Sequence, residues 1–261
     1  MTQRLAMLAL SFCAVCVLAH ADDQVSDATV EPTGPRTGFF GVTLTPTELL
    51  GEDGAKSVAE VFDADDKLEY QLYVPRNYDA AKPAGVIVYI SPYFRGGPPK
   101  AWNDVLRDRN IIWIGAQNAG NEVSVAKRMF LAMFAPMVLQ RDYAMNAERI
   151  YIAGMAGGGK TASRVAVLRP NMFKGGLFFS GALFWGENTP PLLDSIKSLR
   201  YVFMSGANDF ALNETKSAHN KFKTAGVKNT KLMVIRNHGH SLPDADNLER
   251  ALEFLDTRGG E

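Results

Sequence analysis

Two stretches of the sequence are apolar at every position rather than at alternate positions. They are residues 86–90 (VIVYI) and 111–114 (IIWI). A strand with one face in water alternates apolar and polar side chains, whereas a strand covered on both faces is apolar throughout. Parallel sheets are covered on both faces because helices connect their strands. These stretches therefore predict a parallel sheet with helices on both sides.

The rest of the sequence alternates short β-rich segments with helical ones. The predicted strands are 40–44, 57–62, 70–74, 85–90, 111–115, 149–153, 176–180, 200–204 and 231–236. The predicted helices are 98–108, 122–143, 158–168, 191–198, 213–224 and 244–255, and Pro136 is expected to kink or interrupt the second of them. This order predicts an α/β fold with a single doubly wound, mostly parallel sheet flanked by helices. The short connection 181–199 leaves no room for a large cap domain.

The N-terminal residues have the three parts of a secretory signal peptide. Residues 1–4 carry one positive charge, residues 5–18 form an apolar run, and residues 19–21 (AHA) form a cleavage site. A membrane anchor is the alternative, but the apolar run is short for one. We therefore expect a signal peptide over 1–21, a flexible polar leader over 22–37 and one domain over 38–261. The protein would be exported, to the periplasm or the extracellular space.

Charge and cysteine content argue against several functions. The chain has 28 basic and 28 acidic residues, so it has no basic excess to attract nucleic acid. Both cysteines, Cys13 and Cys16, lie in the predicted signal peptide. The exported protein would thus have no disulfide, thiol nucleophile or cysteine-bound metal. We expect no nucleic-acid partner, no membrane span after signal cleavage, no metal and no cofactor.

The most informative segment is residues 149–163 (RIYIAGMAGGGKTAS), in which a strand meets a glycine cluster and then a helix. This segment resembles the α/β-hydrolase superfamily, in particular secreted esterases of the polyhydroxybutyrate-depolymerase and feruloyl-esterase type. Those enzymes carry G-x-S-x-G-G between the strand and the helix, where this chain has GMAGGG. The similarity includes 70–78 (YQLYVPRNY) and 173–182 (FKGGLFFSGA) and extends to the C-terminus.

The resemblance implies a role for several residues. In the family an acid and then a histidine follow the nucleophile along the chain, and Asp209 and His240 occupy those places. One oxyanion donor would be the backbone N–H of Gly157. The second would come from the loop after an early strand, where Pro92 has no N–H and Tyr93 is the candidate.

The other two histidines of the later sequence have less specific predictions. His238 comes two residues too early for the family's pattern and is expected to pack or hydrogen-bond nearby. His219 lies in a predicted polar helix and is expected to be a solvated surface residue.

The nucleophile position is occupied by Ala156, whose methyl group cannot attack a carbonyl. Three explanations remain open: a pseudo-hydrolase that kept the scaffold, an active esterase that uses another nucleophile or an activated water, and a deliberate replacement of the serine. The first would bind a small ester, acyl or sugar-like ligand without turnover. Ser91 is the best substitute nucleophile, and the other hydroxyls considered are Thr161, Ser163, Ser180 and Ser205.

The same segment also matches G-x-x-x-x-G-K-[ST], the phosphate-binding P-loop, with Lys160 and Thr161 at its end. No apolar strand ends directly in an aspartate that would hold Mg²⁺, so nucleotide binding is a remote alternative.

Aromatic residues on the predicted strand ends suggest the kind of ligand. Ligands of doubly wound folds bind at the carboxyl ends of the strands. The candidates there are Tyr93, Phe94, Trp102, Phe184 and Trp185. Aromatic side chains suit a small molecule or a polymer-derived sugar, aromatic acid or acyl group, although each of these residues is as readily explained as part of the core.

Overall fold

The computed structural model describes residues 34–184 and 193–257, and in this part of the chain eight strands form one sheet. The predicted signal peptide and most of the leader lie outside these residues. The strands are β1 (Gly38–Leu44), β2 (Leu68–Val74), β3 (Ala84–Ile90), β4 (Ile111–Ala116), β5 (Met145–Met155), β6 (Gly175–Phe179), β7 (Arg200–Gly206) and β8 (Asn229–Ile235). The spatial order is β1-β2-β4-β3-β5-β6-β7-β8.

The sheet is parallel from β4 to β8, and only the pairings β1–β2 and β2–β4 are antiparallel. All seven residues of β3 are buried, as the continuous apolar stretch 86–90 predicted. The predicted α/β class with a mostly parallel sheet is therefore confirmed. Within the described residues no large cap lies over the sheet.

Helices pack on both faces of the sheet. They are α1 (Pro46–Ser57), α2 (Asn103–Asp108), α3 (Val125–Leu139), α4 (Gly157–Leu168), α5 (Leu193–Ile196), α6 (Leu212–Thr224) and α7 (Ala245–Asp256), and a 3₁₀ turn (Lys100–Trp102) precedes α2. Helices α3, α4 and α6 enclose one hydrophobic cluster, and α2 and α7 enclose the other. None of the helices described is long and apolar enough to cross a bilayer.

The predicted strand over 57–62 is wrong, because this segment ends a helix and forms the turn after it. Helix α1 begins with a capping box, in which the Thr45 hydroxyl accepts from the Glu48 N–H and the Glu48 carboxylate accepts from the Thr45 N–H. The buried side chains of Val58 and Phe62 are four residues apart, and the Phe62 N–H donates to the Val58 carbonyl at 3.0 Å. Four-residue spacing belongs to a helical turn rather than to a strand.

Pro136 does not interrupt its helix. Helix α3 begins after Ser124, whose side chain caps the Lys127 N–H, and continues through Pro136 to Leu139. Pro136 is buried together with the residues around it. Packing of this apolar helix against β3 and β4 outweighs the loss of one backbone hydrogen bond.

Candidate active site

Three residues predicted from the sequence follow three strands of the sheet. Ala156 follows β5, Asp209 follows β7, and His240 follows β8. These strands are parallel, so their carboxyl ends lie at one edge of the sheet. This edge is where doubly wound folds bind ligands.

Ala156 is the single residue between β5 and α4, and its backbone is strained. Its φ of 50° and ψ of −121° lie in a region that favours glycine. The Ala156 N–H donates to the Phe179 carbonyl at 2.9 Å, and its carbonyl accepts from the Lys160 N–H at 3.0 Å. We call this strained turn between the strand and the helix the elbow; it presents one side chain at the sheet edge.

The glycines around Ala156 allow the backbone to pack closely, and the geometry gives no P-loop. A Cβ on Gly154 would lie 2.5 Å from the carbonyl carbon of Gly158, which is closer than real Cβ atoms approach. Helix α4 begins at Gly157, so no loop remains to surround a phosphate. The Lys160 ammonium pairs with Glu214 at 2.8 Å, and the Thr161 hydroxyl donates to the Gly157 carbonyl.

Asp209 and His240 form a hydrogen-bonded pair. Asp209 Oδ1 lies 2.8 Å from His240 Nδ1. The same carboxylate accepts from the Ala211 N–H at Oδ1 and from the Ser205 hydroxyl at Oδ2, each at 2.8 Å. The Asp209 side chain has no exposed surface, whereas His240 is 21% exposed. An acid held in this way fixes the orientation of the imidazole and leaves its Nε2 to act on a ligand.

The environment keeps Asp209 ionised. Burial alone would raise the pKa of its carboxyl, but hydrogen bonds from Ala211, His240 and Ser205 outweigh burial and hold the pKa below its usual value. The Ser180 hydroxyl also favours the carboxylate, although it forms no hydrogen bond of normal geometry. Asp209 can therefore stabilise a protonated His240.

The two other histidines are not part of this pair. His238 Nε2 lies 3.2 Å from the Ser241 carbonyl oxygen, within its own loop, as predicted. His219 was predicted to be solvated, but it is buried in α6 against Phe203, and burial lowers the pKa of its imidazole. Helix α6 is mostly polar in sequence, so little in the sequence indicated that one of its faces packs on β7.

The hydroxyls considered as substitute nucleophiles have other roles. Ser91, Ser163, Ser180 and Ser205 are buried. Ser91 Oγ accepts from the Tyr93 N–H, and Ser163 Oγ accepts from the Leu183 N–H. Ser205 Oγ donates to Asp209. None of the five candidates, including Thr161, forms a hydrogen bond with His240 in the residues described.

Only some of the aromatic residues predicted to line the site are exposed at the sheet edge. Tyr93 and Phe94 lie after β3 and are exposed at the sheet edge. Trp102 does not line the site as predicted: it is fully buried, and its Nε1–H donates to the Pro243 carbonyl at 3.0 Å.

Phe184 packs against Phe222 of the core, with ring centroids 5.1 Å apart. The predicted ligand-binding residue Trp185 lies outside the described residues.

Phe210 is an aromatic residue of the site that sequence reasoning missed. It follows Asp209, its side chain is 83% exposed, and it stacks on the ring of His240. Its position directly after Asp209, the predicted acid, is the feature of the sequence that could have placed it at the site.

The predicted second oxyanion donor is already engaged. The Tyr93 N–H donates to Ser91 Oγ at 3.1 Å, so Tyr93 does not present a free amide. Gly157 is the first residue of α4, where backbone N–H groups have no partner within the helix.

Titratable side chains do not form a metal site in the part of the chain described. There, no group of three or more histidine, cysteine, aspartate or glutamate residues is arranged to hold a metal ion.

Comparison with known proteins finds likeness in fold rather than in sequence. No family model and no curated protein match this chain. A ferulic acid esterase structure matches with a TM-score of 0.61 and 16% identity over 84% of this chain and 98% of its own. A serine-to-alanine mutant of the feruloyl esterase module from Clostridium thermocellum, complexed with sinapinate, matches with a TM-score of 0.56 and 15% identity over 86% and 89%.

Two further matches are to longer proteins. A dipeptidyl aminopeptidase IV-type protein from Bacteroides ovatus matches with a TM-score of 0.57 and 17% identity over 84% of this chain, but the match covers only 35% of that protein. A thermostable esterase matches with a TM-score of 0.55 and 14% identity over 76% of this chain, and the match covers 55% of that protein. At these identities the likeness concerns the fold alone. Together with the strand order and the placement of the three site residues, it establishes that this chain has the α/β-hydrolase fold.

Proposed function

We propose that this chain is an exported relative of carboxylic-ester hydrolases that binds a small ester, acyl or sugar-like ligand and has lost serine-hydrolase activity. The observation that carries the proposal is the elbow residue. Ala156 has the strained backbone of a nucleophile, while the Asp209–His240 pair is intact. A methyl group forms no acyl-enzyme, so the histidine has no hydroxyl to deprotonate.

The exposed aromatic side chains support a ligand with an aromatic or acyl part. Tyr93, Phe94 and Phe210 are all more than half exposed, on loops after β3 and β7. Exposed aromatic rings beside a polar pair are typical of a ligand site. The solved structures named as feruloyl or ferulic acid esterases make methyl ferulate and ferulate suitable first probes.

A second candidate function is hydrolysis by an activated water. It is favoured by the oriented His240, whose Nδ1 is held by Asp209 and whose Nε2 has no partner in the residues described. His240 Nε2 would take a proton from water while the water oxygen attacks the ester carbonyl. The C–O bond to the alcohol then breaks, and the leaving oxygen takes the proton from His240. This route gives an acid and an alcohol without a covalent intermediate.

Turnover of 4-nitrophenyl acetate by the native chain and by Ala156→Ser separates these functions. We expect no turnover by the native chain above background, and a gain of about 1000-fold or more in the variant. The gain should disappear when His240→Ala is added. Ala59→Ser, at an exposed position, is the matched control.

Rapid turnover by the native chain that is lost in His240→Ala would contradict the pseudo-hydrolase and favour the activated water. Calorimetric titration of the native chain with methyl ferulate tests the binding function directly. Saturable binding without turnover is the expected result. Absence of binding, together with no gain in Ala156→Ser, would contradict the proposed function.

A further inference from the structure

The residue after Ala156 has no side chain, and the space that a side chain would fill is taken by Asn121. The atom nearest to a Cβ on Gly157 would be Oδ1 of Asn121, while Cγ and Nδ2 of the same carboxamide would lie 2.8 Å and 3.0 Å away. The carboxamide of Asn121 therefore lies directly against the elbow. Asn121 is exposed, and its side chain forms no hydrogen bond with the other residues described. A polar group at this place is available to a ligand.

The backbone of Asn121 is fixed although its side chain is free. Asn121 lies on the loop after β4, and its N–H donates to the Pro92 carbonyl at 3.0 Å, on the loop after β3. The buried guanidinium of Arg128 holds both loops, since its Nε donates to the Ala119 carbonyl and its Nη2 to the Ser91 carbonyl. Two loops bound in this way give Asn121 a defined position beside Gly157.

The loop after β3 does not supply a free amide at this point. Pro92 has no N–H, and the Tyr93 N–H is bonded to Ser91 Oγ. Residues 92 and 93 therefore add no free N–H to the one at Gly157.

We propose that the Asn121 carboxamide supplies the second donor of the site, so that Nδ2–H of Asn121 and N–H of Gly157 together bind the carbonyl oxygen of the ligand. This proposal rests on the proposed function, because it requires a carbonyl-containing ligand at the elbow. An asparagine presents two N–H donors at Nδ2, and rotation of the carboxamide brings them toward a ligand. In an active site, such a donor stabilises the negative charge that develops on the carbonyl oxygen.

The placement of Asn121 is tested without any activity. Gly157→Ala introduces a methyl group into the space of the Asn121 carboxamide and displaces that carboxamide from the elbow, so it should weaken the binding of methyl ferulate to the native chain. In the Asn121→Ala background no carboxamide is left to displace, and the same substitution should weaken binding much less. Equal effects of Gly157→Ala in the two backgrounds would overturn the proposal.

The role of Asn121 is tested in the Ala156→Ser chain with 4-nitrophenyl acetate. Loss of one donor should lower kcat by about 100-fold and leave KM nearly unchanged. Asn121→Asp should lower kcat at least as much, because a carboxylate has no donor and repels the developing charge. Asn171→Ala, the same substitution at an exposed position after α4, is the matched control and should leave kcat unchanged.

The outcomes separate this proposal from the proposed function. If Ala156→Ser gains activity and Asn121→Ala leaves kcat within about twofold, the role of Asn121 is overturned and the proposed function stands. If Ala156→Ser gains nothing, the affinity of the native chain for methyl ferulate decides: weaker binding in Asn121→Ala supports the proposal, and unchanged binding overturns it. If neither chain turns over or binds an ester, both proposals fall.

Discussion

The ring of Phe210 stacks on the imidazole of His240, with ring centroids 4.2 Å apart and planes inclined by 22°. Asp209 is hydrogen-bonded to Nδ1 of the same imidazole. The hydrogen bond restricts rotation of the ring within its plane, and the stacked Phe210 covers one of its faces. The remaining nitrogen, Nε2, is the one available to a ligand.

Removal of the Phe210 ring should affect turnover more than stability. Stacked aromatic pairs contribute about 1 kcal/mol, which corresponds to a fall of about 5-fold in kcat when Phe210→Ala is introduced into the Ala156→Ser chain. Because Phe210 is 83% exposed, the unfolding midpoint in urea should hardly change. Phe210→Tyr keeps the ring and should retain kcat. A large fall in the midpoint would show that Phe210 has a structural role instead.

Asp209 should control the orientation and charge of His240. In the Ala156→Ser chain, Asp209→Asn should lower kcat by about 10⁴-fold, because an amide does not stabilise the imidazolium and favours the wrong tautomer. Ser205→Ala removes only one of the hydrogen bonds to this carboxylate and should have a much smaller effect. The measurement is kcat on 4-nitrophenyl acetate. Similar losses in both variants would contradict a direct role for the Asp209–His240 pair.

The strain at Ala156 predicts an unusual response to glycine. Ala156→Gly should raise the free energy of unfolding by about 1 kcal/mol, because glycine adopts a positive φ without steric strain. The same substitution at Ala126, an exposed position of α3, should lower it by about 0.5–1 kcal/mol. Urea denaturation measures both. A loss of stability at Ala156 would show that the elbow is not under strain.

A charged cluster far from the site should govern stability at acid pH. The Asp256 carboxylate accepts from Arg149, Arg109 and the Tyr151 hydroxyl. Burial alone would raise the pKa of Asp256, but hydrogen bonds and charge from these partners outweigh it and hold the pKa below its usual value. Because the folded pKa is depressed, the stabilisation is complete above the unfolded pKa of about 3.9 and is lost as the pH falls through the folded value.

Asp256→Asn should therefore lower the free energy of unfolding by about 3 kcal/mol at pH 7 and flatten its dependence on pH below about 4. Asp194→Asn is the control. The hydrogen bond and charge of Lys197, just after α5, also lower the pKa of the Asp194 carboxyl, but the pair is exposed and screened by solvent, so both changes should be much smaller than in Asp256→Asn. Urea titrations between pH 3 and pH 7 measure the difference. A pH profile of Asp256→Asn parallel to that of the native chain would contradict the role of this cluster.

The sequence was sufficient to predict the sheet and to single out Asp209 and His240, which form a hydrogen-bonded pair in the structure. Continuous apolar runs such as 86–90 indicate strands buried on both faces, and Ala156, Asp209 and His240 follow the carboxyl ends of β5, β7 and β8. The start of α1 is also encoded locally, by the capping residues Thr45 and Glu48.

Other features depend on contacts between distant parts of the chain. The ring of Trp102 is buried against Trp113 and Phe179, and its N–H is satisfied by Pro243, 141 residues away. The engagement of the Tyr93 amide depends on the rotamer of Ser91, and the placement of Asn121 depends on the loops held by Arg128. No local pattern of residue types specifies such contacts, because each is set by packing between separate elements.

The conformation of the elbow also bears on how the chain can evolve. Alanine and serine codons differ by one base, and the two residues share the Cβ that the backbone at position 156 already accommodates. A single nucleotide change would therefore place a hydroxyl at the elbow without any rearrangement of the backbone. If the proposed function holds, an inactive and an active form of this site are one nucleotide change apart, as long as the other loops of the site are maintained.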